Sequence, residues 1–449
     1  MSFINQEEII TFLKSASTLT LSTSINGLPS STLVNYKLEQ EEQGDGTIII
    51  QVSENTVECN QLLFNKNCCL MSNTENKQIK IYGKAELLRT NTNYDNITEP
   101  NAQEKKFKIV PEKIVFVQNN KQKEYLNTSN MHLKTVKSNI ATEFKFWFKI
   151  TRAPFFTATI MPILLGLVLA WNLNNSFSII TGVLTLIAGI LIHSGTNLAN
   201  DFFDQRTDVL NENFTPFNGG SRTIQLRLAT QEKILLSAIT SFVLGISIVL
   251  WFVYKSKSIE LFLLLVLGIF LAYFYTAGPL KLSHHGLGEV SNFLGYGPIL
   301  TLSAWIIQVN KNYSMTDFYT VLYWSFVPGL LLTLILIINE FQDFDSDKLA
   351  GKKTLVVRIG KEKGRIFYVL VSFLTYFIIL VGIIGTPSQS FFVLFSLAGI
   401  LFIRQITKIL KENLNKIDEL LPANGLTVKN HLLTNLLLIL GFIVTKLVI

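Results

Sequence analysis

Two short acidic stretches carry the residue types that could do chemistry. The first is Asn200-Asp201-Phe202-Phe203-Asp204-Gln205-Arg206-Thr207-Asp208, the second Asn339-Glu340-Phe341-Gln342-Asp343-Phe344-Asp345-Ser346-Asp347. Residues four apart share one face of a helix, so Asn200, Asp204 and Asp208 make one oxygen-bearing stripe and Asp343 and Asp347 a second. Magnesium takes oxygen ligands, keeps several waters and is commonly bridged by one or two carboxylates to phosphate. Two such stripes suggest a magnesium-bridged diphosphate. Cations suited to that anion stand nearby: Arg222 in Asn218-Gly219-Gly220-Ser221-Arg222, Lys281 in Gly278-Pro279-Leu280-Lys281, and Lys352 and Lys353 after Gly351. Asp201 and Asp345 fall off the stripes and read as supporting or solvated groups. His284 and His285 follow Lys281, and one could act as a base on an acceptor hydroxyl; on a polar loop both read as solvated.

The elements that must position these groups are apolar. From residue 147 onward, runs long enough to cross a bilayer recur near 153–171, 177–199, 234–254, 259–276, 288–309, 317–338, 366–384, 389–409 and 431–449. Each acidic stretch ends one of these runs. Carboxylates are costly near a bilayer, so their presence there points to function. An odd number of spans puts the amino-terminal residues on the same side as both acidic stretches. That side carries most of the loop Lys and Arg and reads as cytoplasmic, in a cell inner (plasma) membrane. The same bias explains the formal charge of +7. No basic patch interleaved with aromatics appears, which argues against nucleic acid as a partner. The opening residues lack the basic-then-apolar layout of a signal peptide. The cysteines, Cys59, Cys68 and Cys69, form no CxxC pair and read as idle or buried thiols.

Residues 1–125 are different in kind. A helical pattern over 3–15 precedes short alternating runs at Thr18–Thr23, Ser31–Leu38, Thr47–Val52, Cys68–Ser72, Ile79–Leu88 and Lys113–Gln118, with Asn26-Gly27 as a hairpin signal. This predicts a small closed β-barrel. The stretches LTLSTSINGLPSSTLVNYKL, GTIIIQVSENTVECNQLLFNKNCCLM and IKIYGKAELL resemble the split barrel of the pyridoxamine 5′-phosphate oxidase-like superfamily. That resemblance implies flavin mononucleotide (FMN) as a candidate cofactor and pairing into a homodimer. Against the flavin, Thr56-Val57-Glu58-Cys59-Asn60 has Glu58 where flavin-binding members supply a cation to the phosphate. Residues 126–146, with Lys134 and Lys137, read as a linker. The fold class is thus multi-domain: a small β split barrel, a linker, and an all-α polytopic membrane domain of about nine helices over 147–449.

The membrane region resembles the UbiA superfamily of intramembrane aromatic prenyltransferases. Asn200 through Asp208 meets the N-D-x-x-D-x-x-x-D motif and Asp343 with Asp347 the D-x-x-x-D motif. YTAGPLKLSHHGLGE (275–289) and NEFQDFDSDKLAGKKTLVVRIG (339–360) are most similar to the 1,4-dihydroxy-2-naphthoate polyprenyltransferases of menaquinone synthesis. The resemblance implies that Asn200, Asp204, Asp208, Asp343 and Asp347 hold magnesium and diphosphate. It implies that Asn339 lines the site and that Lys281 and Arg222 neutralise the anion, with Arg152 as a further contact; Lys352 and Lys353 stand beside these as the nearby cations read from the residues alone. Relatives often carry Arg just before the second motif, where this chain has Gln342. The implied reaction joins a polyprenyl diphosphate to an aromatic acceptor, 1,4-dihydroxy-2-naphthoate, with loss of carbon dioxide to give demethylmenaquinone. Hydroxybenzoate, homogentisate or a glyceryl phosphate are the alternative acceptors, and a transporter or membrane sensor is the reading from another class. Tyr273, Phe274, Tyr275 and Phe341 could face a carbocation, though their helical spacing suits packing better.

Overall fold

A computed structural model describes residues 7–25, 28–40, 46–53, 56–64, 66–74, 77–88, 104–118, 121–126, 146–208, 211, 215, 220–225, 229–385 and 391–448. The chain divides into two compact units, Met1–Phe148 with Thr223–Gln231, and Lys149–Arg222 with Glu232–Ile449.

The first unit is an antiparallel barrel. Helix α1 (Glu7–Ser15) leads into β1 (Leu19–Ile25), β2 (Leu28–Gln40) and β3 (Gly46–Ser53). Helix α2 (Val57–Phe64) follows, then β4 (Asn67–Thr74), β5 (Lys77–Leu87), β6 (Glu104–Gln118) and β7 (Lys121–Leu126). The sheet order is β3-β2-β1-β4-β5-β6-β7, and an extra β3–β6 pairing closes six strands into a ring. Closure leaves those six without open edges. Alternation does the rest: along β5, Ile79, Ile81 and Ala85 turn inward, meeting Leu19, Leu21, Ile48, Ile50, Leu70 and Phe107 in one core. Gly83 stands at the register shift between β5 and β6, where a Cβ would meet the Val110 carbonyl oxygen at 2.4 Å. The predicted barrel is therefore observed. Its sixth strand begins well before Lys113, because the Lys-rich start of β6 hides its alternation. Strand β7 occupies residues read as the end of the barrel and the start of a polar linker. It pairs with β6 at the end of the strand order. The rest of the expected linker, 127–145, and the expected turn at Asn26-Gly27 lie outside the described residues. Glu58 is buried on α2 and accepts a hydrogen bond from Ser30 Oγ at 2.6 Å. A flavin phosphate at this position would meet a buried carboxylate rather than a cation, so FMN does not suit it.

The second unit is helical. Among the described residues eight helices are long and apolar enough to cross a membrane, and Ile259–Phe274 is a shorter apolar helix. All nine expected runs are thus helical. We label α3 Thr157–Asn174, α4 Ile179–Asp208, α5 Gln231–Ser256 and α6 Ile259–Phe274. Next come α7 Gly288–Leu294 and α8 Leu300–Val309, joined through a π-helical turn, Gly295–Ile299, that contains Pro298. Then follow α9 Met315–Leu349, α10 Leu355–Ile359, α11 Lys361–Gly385, α12 Ile400–Asn413 and α13 Ile417–Val448. The chain is a multi-pass membrane protein.

Two helices matter most for position. Helix α9 has 35 residues, about 52 Å at 1.5 Å per residue. That exceeds a hydrocarbon core of about 30 Å, so the apolar part can be spanned with several turns left for the second acidic stretch. A capping box between Ser314 and Asp317 starts it. Helix α4 carries the first stretch in its last turns in the same way. The broken α7–α8 segment packs against α9 at a glycine pair: a Cβ on Gly297 would meet Ser325 O at 2.7 Å and Gly329 Cα at 2.9 Å. Trp305, Trp324, Phe341, Tyr368 and Phe442 fill the core.

Candidate active site

The end of α4 and the end of α9 face one polar cavity of about 190 Å³. Asn200, Asp204 and Asp208 line it from α4, and Asn339, Asp343 and Asp347 from α9. Among the described residues, five of these six side chains are hydrogen-bonded to other side chains. Thr276 Oγ1 donates to Asn200 Oδ1 at 2.8 Å, and Asn424 Nδ2 to Asn339 Oδ1 at 2.7 Å. Asn211 Nδ2 donates to Asp343 Oδ1 at 2.8 Å, and Thr354 Oγ1 to Asp347 Oδ2 at 3.4 Å. Asp204 accepts from Lys352 Nζ at 3.1 Å, and its other oxygen lies 3.0 Å from His284 Nε2.

Lys352 stands where the stripes converge, 3.9 Å from Asp208 Oδ1 as well. Burial works against its ammonium, but Asp204, Asp208 and Asp347 outweigh that and hold its pKa above the ordinary lysine value. Beyond the span Ile179–Gln205, burial pushes the Asp208 carboxyl up to about 7. Asp204 and Asp201 add to the rise, and Lys352 and Arg222 oppose it. A crowd of carboxylates with few cations among them is the electrostatic setting a divalent cation relieves.

The other expected cations are placed unevenly. Arg152, in left-handed conformation ahead of α3, lines the polar cavity. Arg222 is buried, but its guanidinium donates to the backbone carbonyls of Asp208 and Asn211, bracing the end of α4. Lys281 and Lys353 are exposed and are not among the residues lining the cavity. Spacing in the sequence put all three near the anion; the direction of each side chain is set by turns that spacing does not show. Gln342 is buried against Asn424 rather than lining the cavity.

Asp201, off the stripe, has a supporting role. It accepts from the Ser221 amide at 3.1 Å and from Ser221 Oγ. This draws Gly220 over the end of α4, at φ 74°, where a Cβ would meet Asp208 Oδ2 at 2.6 Å. Sequence reasoning did not foresee Asn211, Thr276, Thr354 and Asn424 as partners, and read His284 as solvated. Most of these pairs are distant in sequence, Asp204–His284 and Asn339–Asn424 by 80 and 85 residues, and Thr354, seven residues beyond Asp347, reaches it through a turn that spacing does not show.

A second cavity, of about 260 Å³, adjoins the first. Arg152, Asn200, Tyr275, Leu336 and Asn339 belong to both walls. Its remaining lining is mostly apolar, with Ile163, Ala188, Val249, Leu264, Ile299 and Ile307 among it. His193 also lines it, with Thr159 Oγ1 2.7 Å from Nδ1 and Phe156 and Tyr296 edge-on to the ring. Of the four aromatics weighed against a carbocation, Tyr275 is in this wall, Phe341 is in the packed core, Tyr273 is exposed, and Phe274 packs edge-on to Tyr273. The arrangement can seat a diphosphate among carboxylates and Lys352, with an apolar chain beyond it.

Comparisons with known proteins bear on the family and the fold. The profile of the UbiA prenyltransferase family matches residues 159–426. A 2-carboxy-1,4-naphthoquinone phytyltransferase from Arabidopsis thaliana is 30% identical over 223 residues, 49% of this chain. The matched region spans little more than half, 56%, of that relative. A 1,4-dihydroxy-2-naphthoate octaprenyltransferase from Escherichia coli is 28% identical over 310 residues, 67% of this chain and 96% of the relative. The apo structure of a UbiA homolog from Aeropyrum pernix K1 superposes with a TM-score of 0.51 at 12% identity, covering 63% of this chain and 97% of that one. At that identity the likeness speaks for the fold.

Proposed function

This chain belongs to the UbiA prenyltransferase family, and we propose that it transfers a polyprenyl group from its diphosphate to 1,4-dihydroxy-2-naphthoate. One observation carries the reading: two carboxylate stripes and Lys352 meet in a polar cavity that shares a wall with an apolar one. The relatives named for naphthoate or naphthoquinone acceptors support the choice of acceptor.

Magnesium suits the donor set. The available ligands are hard oxygens from Asp204, Asp208, Asn200, Asp343 and Asp347, the kind this cation prefers. Among the described residues no three His, Cys, Asp or Glu side chains close on one point. These residues would therefore hold the ion only in part, with phosphate and water completing its shell. When bound, magnesium would offset the charge that builds on the departing diphosphate. Lys352 offers that diphosphate an ammonium already held among the carboxylates, so little reorganisation is needed as charge develops. Arg152, which lines both cavities, adds a second cation that would offset charge on the diphosphate.

As the carbon–oxygen bond breaks, its electron pair leaves with the diphosphate. The acceptor's ring carbon supplies the pair for the new carbon–carbon bond. At that carbon the bond to the carboxylate then breaks, carbon dioxide departs, and the released pair restores the aromatic ring. The product of this redox-neutral transfer is the quinol, demethylmenaquinol, which dissolved oxygen oxidises by two electrons to the demethylmenaquinone that is detected. The apolar walls keep water from the allylic cation. The stripes are assigned to the cytoplasmic side of the plasma membrane from the positive-inside bias, which labelling Lys353→Cys with an impermeant maleimide from either side, with Cys59, Cys68 and Cys69 replaced, would check.

The test uses the purified protein in lipid vesicles with magnesium, a polyprenyl diphosphate, and 1,4-dihydroxy-2-naphthoate or 4-hydroxybenzoate. A demethylmenaquinone mass that disappears with EDTA supports acceptor, metal and reaction together. Product from hydroxybenzoate alone would overturn the acceptor. Product that persists in EDTA would overturn the metal.

A further inference from the structure

We propose that His284 is a positioning residue for Asp204, the central carboxylate of the first stripe; this rests on the reading that Asp204 helps to hold the divalent cation. His284 lies in the turn Leu282–His285 that follows α6. Its Nε2 is 3.0 Å from Asp204 Oδ1, and the two side chains are only 13% and 14% exposed. The opposite oxygen, Oδ2, accepts from Lys352 Nζ at 3.1 Å. The carboxylate is thus bracketed by donors from two different loops.

The bracket is braced. Lys353 N donates to His284 O at 2.9 Å, so the loop that presents Lys352 is tied to the turn that presents His284. Ser283 donates to Tyr275 O through both its amide, at 3.0 Å, and its hydroxyl, at 2.8 Å. Arg358 Nε donates to Lys353 O at 3.0 Å. Gly286, at φ 67°, lets the chain reverse where a Cβ would lie 2.9 Å from Arg358 Nε. The adjacent His285 takes no part: it is exposed and its Nδ1 faces the carbonyls of Leu280 and Lys281. Of two neighbouring histidines, one is built into the site by the turn that carries it.

The physical consequence concerns rotation. A carboxylate held through one oxygen by a buried donor presents a defined edge to a cation, and does not lose that freedom at the moment of binding. Carboxylates that ligate metals are themselves held in this way, and removing the holder costs roughly 10–100-fold in metal affinity. His284 acts through Asp204, and nothing in the geometry requires it to touch substrate.

The experiment uses the full chain in nanodiscs and Mn2+ alone as the probe, with bound ion counted by EPR. Wild type, Asp204→Asn, His284→Ala and His284→Gln are compared. The expected result is a loss of about 10–100-fold in Mn2+ affinity for His284→Ala. Recovery is expected in His284→Gln, whose amide can donate to the same oxygen. Wild-type affinity in His284→Ala, with Asp204→Asn impaired, would overturn the proposal and leave the metal reading standing. Wild-type affinity in Asp204→Asn would overturn both. If His284→Ala fails to fold, a folded His284→Leu, which has no donor, takes its place: reduced affinity that His284→Gln recovers supports the proposal, and wild-type affinity overturns it.

Discussion

Asp343 illustrates how the site is assembled at the scale of single residues. Its oxygen is held by Asn211, from the loop beyond the other acidic stretch, so the two stripes are joined by a side-chain hydrogen bond as well as by a cavity. Replacing Asp343 or Asp204 by Asn keeps shape and removes charge. Turnover is expected to fall about 10²–10³-fold, the scale of losing one preorganised electrostatic group, while membrane insertion and helical circular dichroism stay as in wild type. Unchanged turnover would remove these carboxylates from the chemistry. Gly220 is a second test. A side chain at its φ of 74° costs roughly 1–2 kcal/mol, and the new methyl would press on Asp208 Oδ2. In Gly220→Ala the magnesium concentration for half-maximal turnover is expected to rise; a titration identical to wild type would show that the loop does not shape Asp208. The motif spacing made the carboxylates legible in the sequence, because four-residue intervals state a helical face directly. Arg222 was legible as a nearby cation but not as a brace on backbone carbonyls, since its direction follows from a left-handed turn at φ 59°.

At the scale of elements, function depends on where helices are allowed to touch. Helix α9 brings the second stripe to the site, and its position against α7–α8 is set by the close approach of Gly297 and Gly329. Small residues let helix backbones approach in membrane proteins. A methyl at Gly297 must push against backbone atoms that have no rotamer to yield. Gly297→Ala is therefore expected to destabilise by about 1–3 kcal/mol, the usual cost of overpacking, read as a lower thermal midpoint in detergent. An unchanged midpoint would mean that the two segments part without cost. The apolar runs announced the helices of membrane length but not α10, and Gly295, Gly297 and Pro298 read only as residues a membrane helix tolerates, not as the break found there. Which helix faced the break was not legible, because an apolar run looks alike on every side to its own sequence.

At the scale of the whole molecule, the described residues that line the two cavities belong to the unit Lys149–Arg222 with Glu232–Ile449. A chain lacking residues 1–140 is expected to retain magnesium-dependent transfer when reconstituted in vesicles. Loss of transfer in a truncated protein that still inserts and binds Mn2+ would assign the barrel a direct part in the reaction. What the sequence by itself determined is local and periodic: a barrel from period-two strands, apolar helices of membrane length, and two carboxylate stripes spaced by the helical turn. What only the tertiary structure decided is directional and long-range. It selected Lys352 and Arg152 over Lys281 and Lys353 as cations at the cavity, recruited Asn211, Thr276, Thr354 and Asn424 to hold the stripe residues, and turned His284 inward while His285 faces out. Periodicity states which residues share a face, but a hydrogen bond across 80 residues depends on how turns aim side chains, and no interval along the chain encodes that.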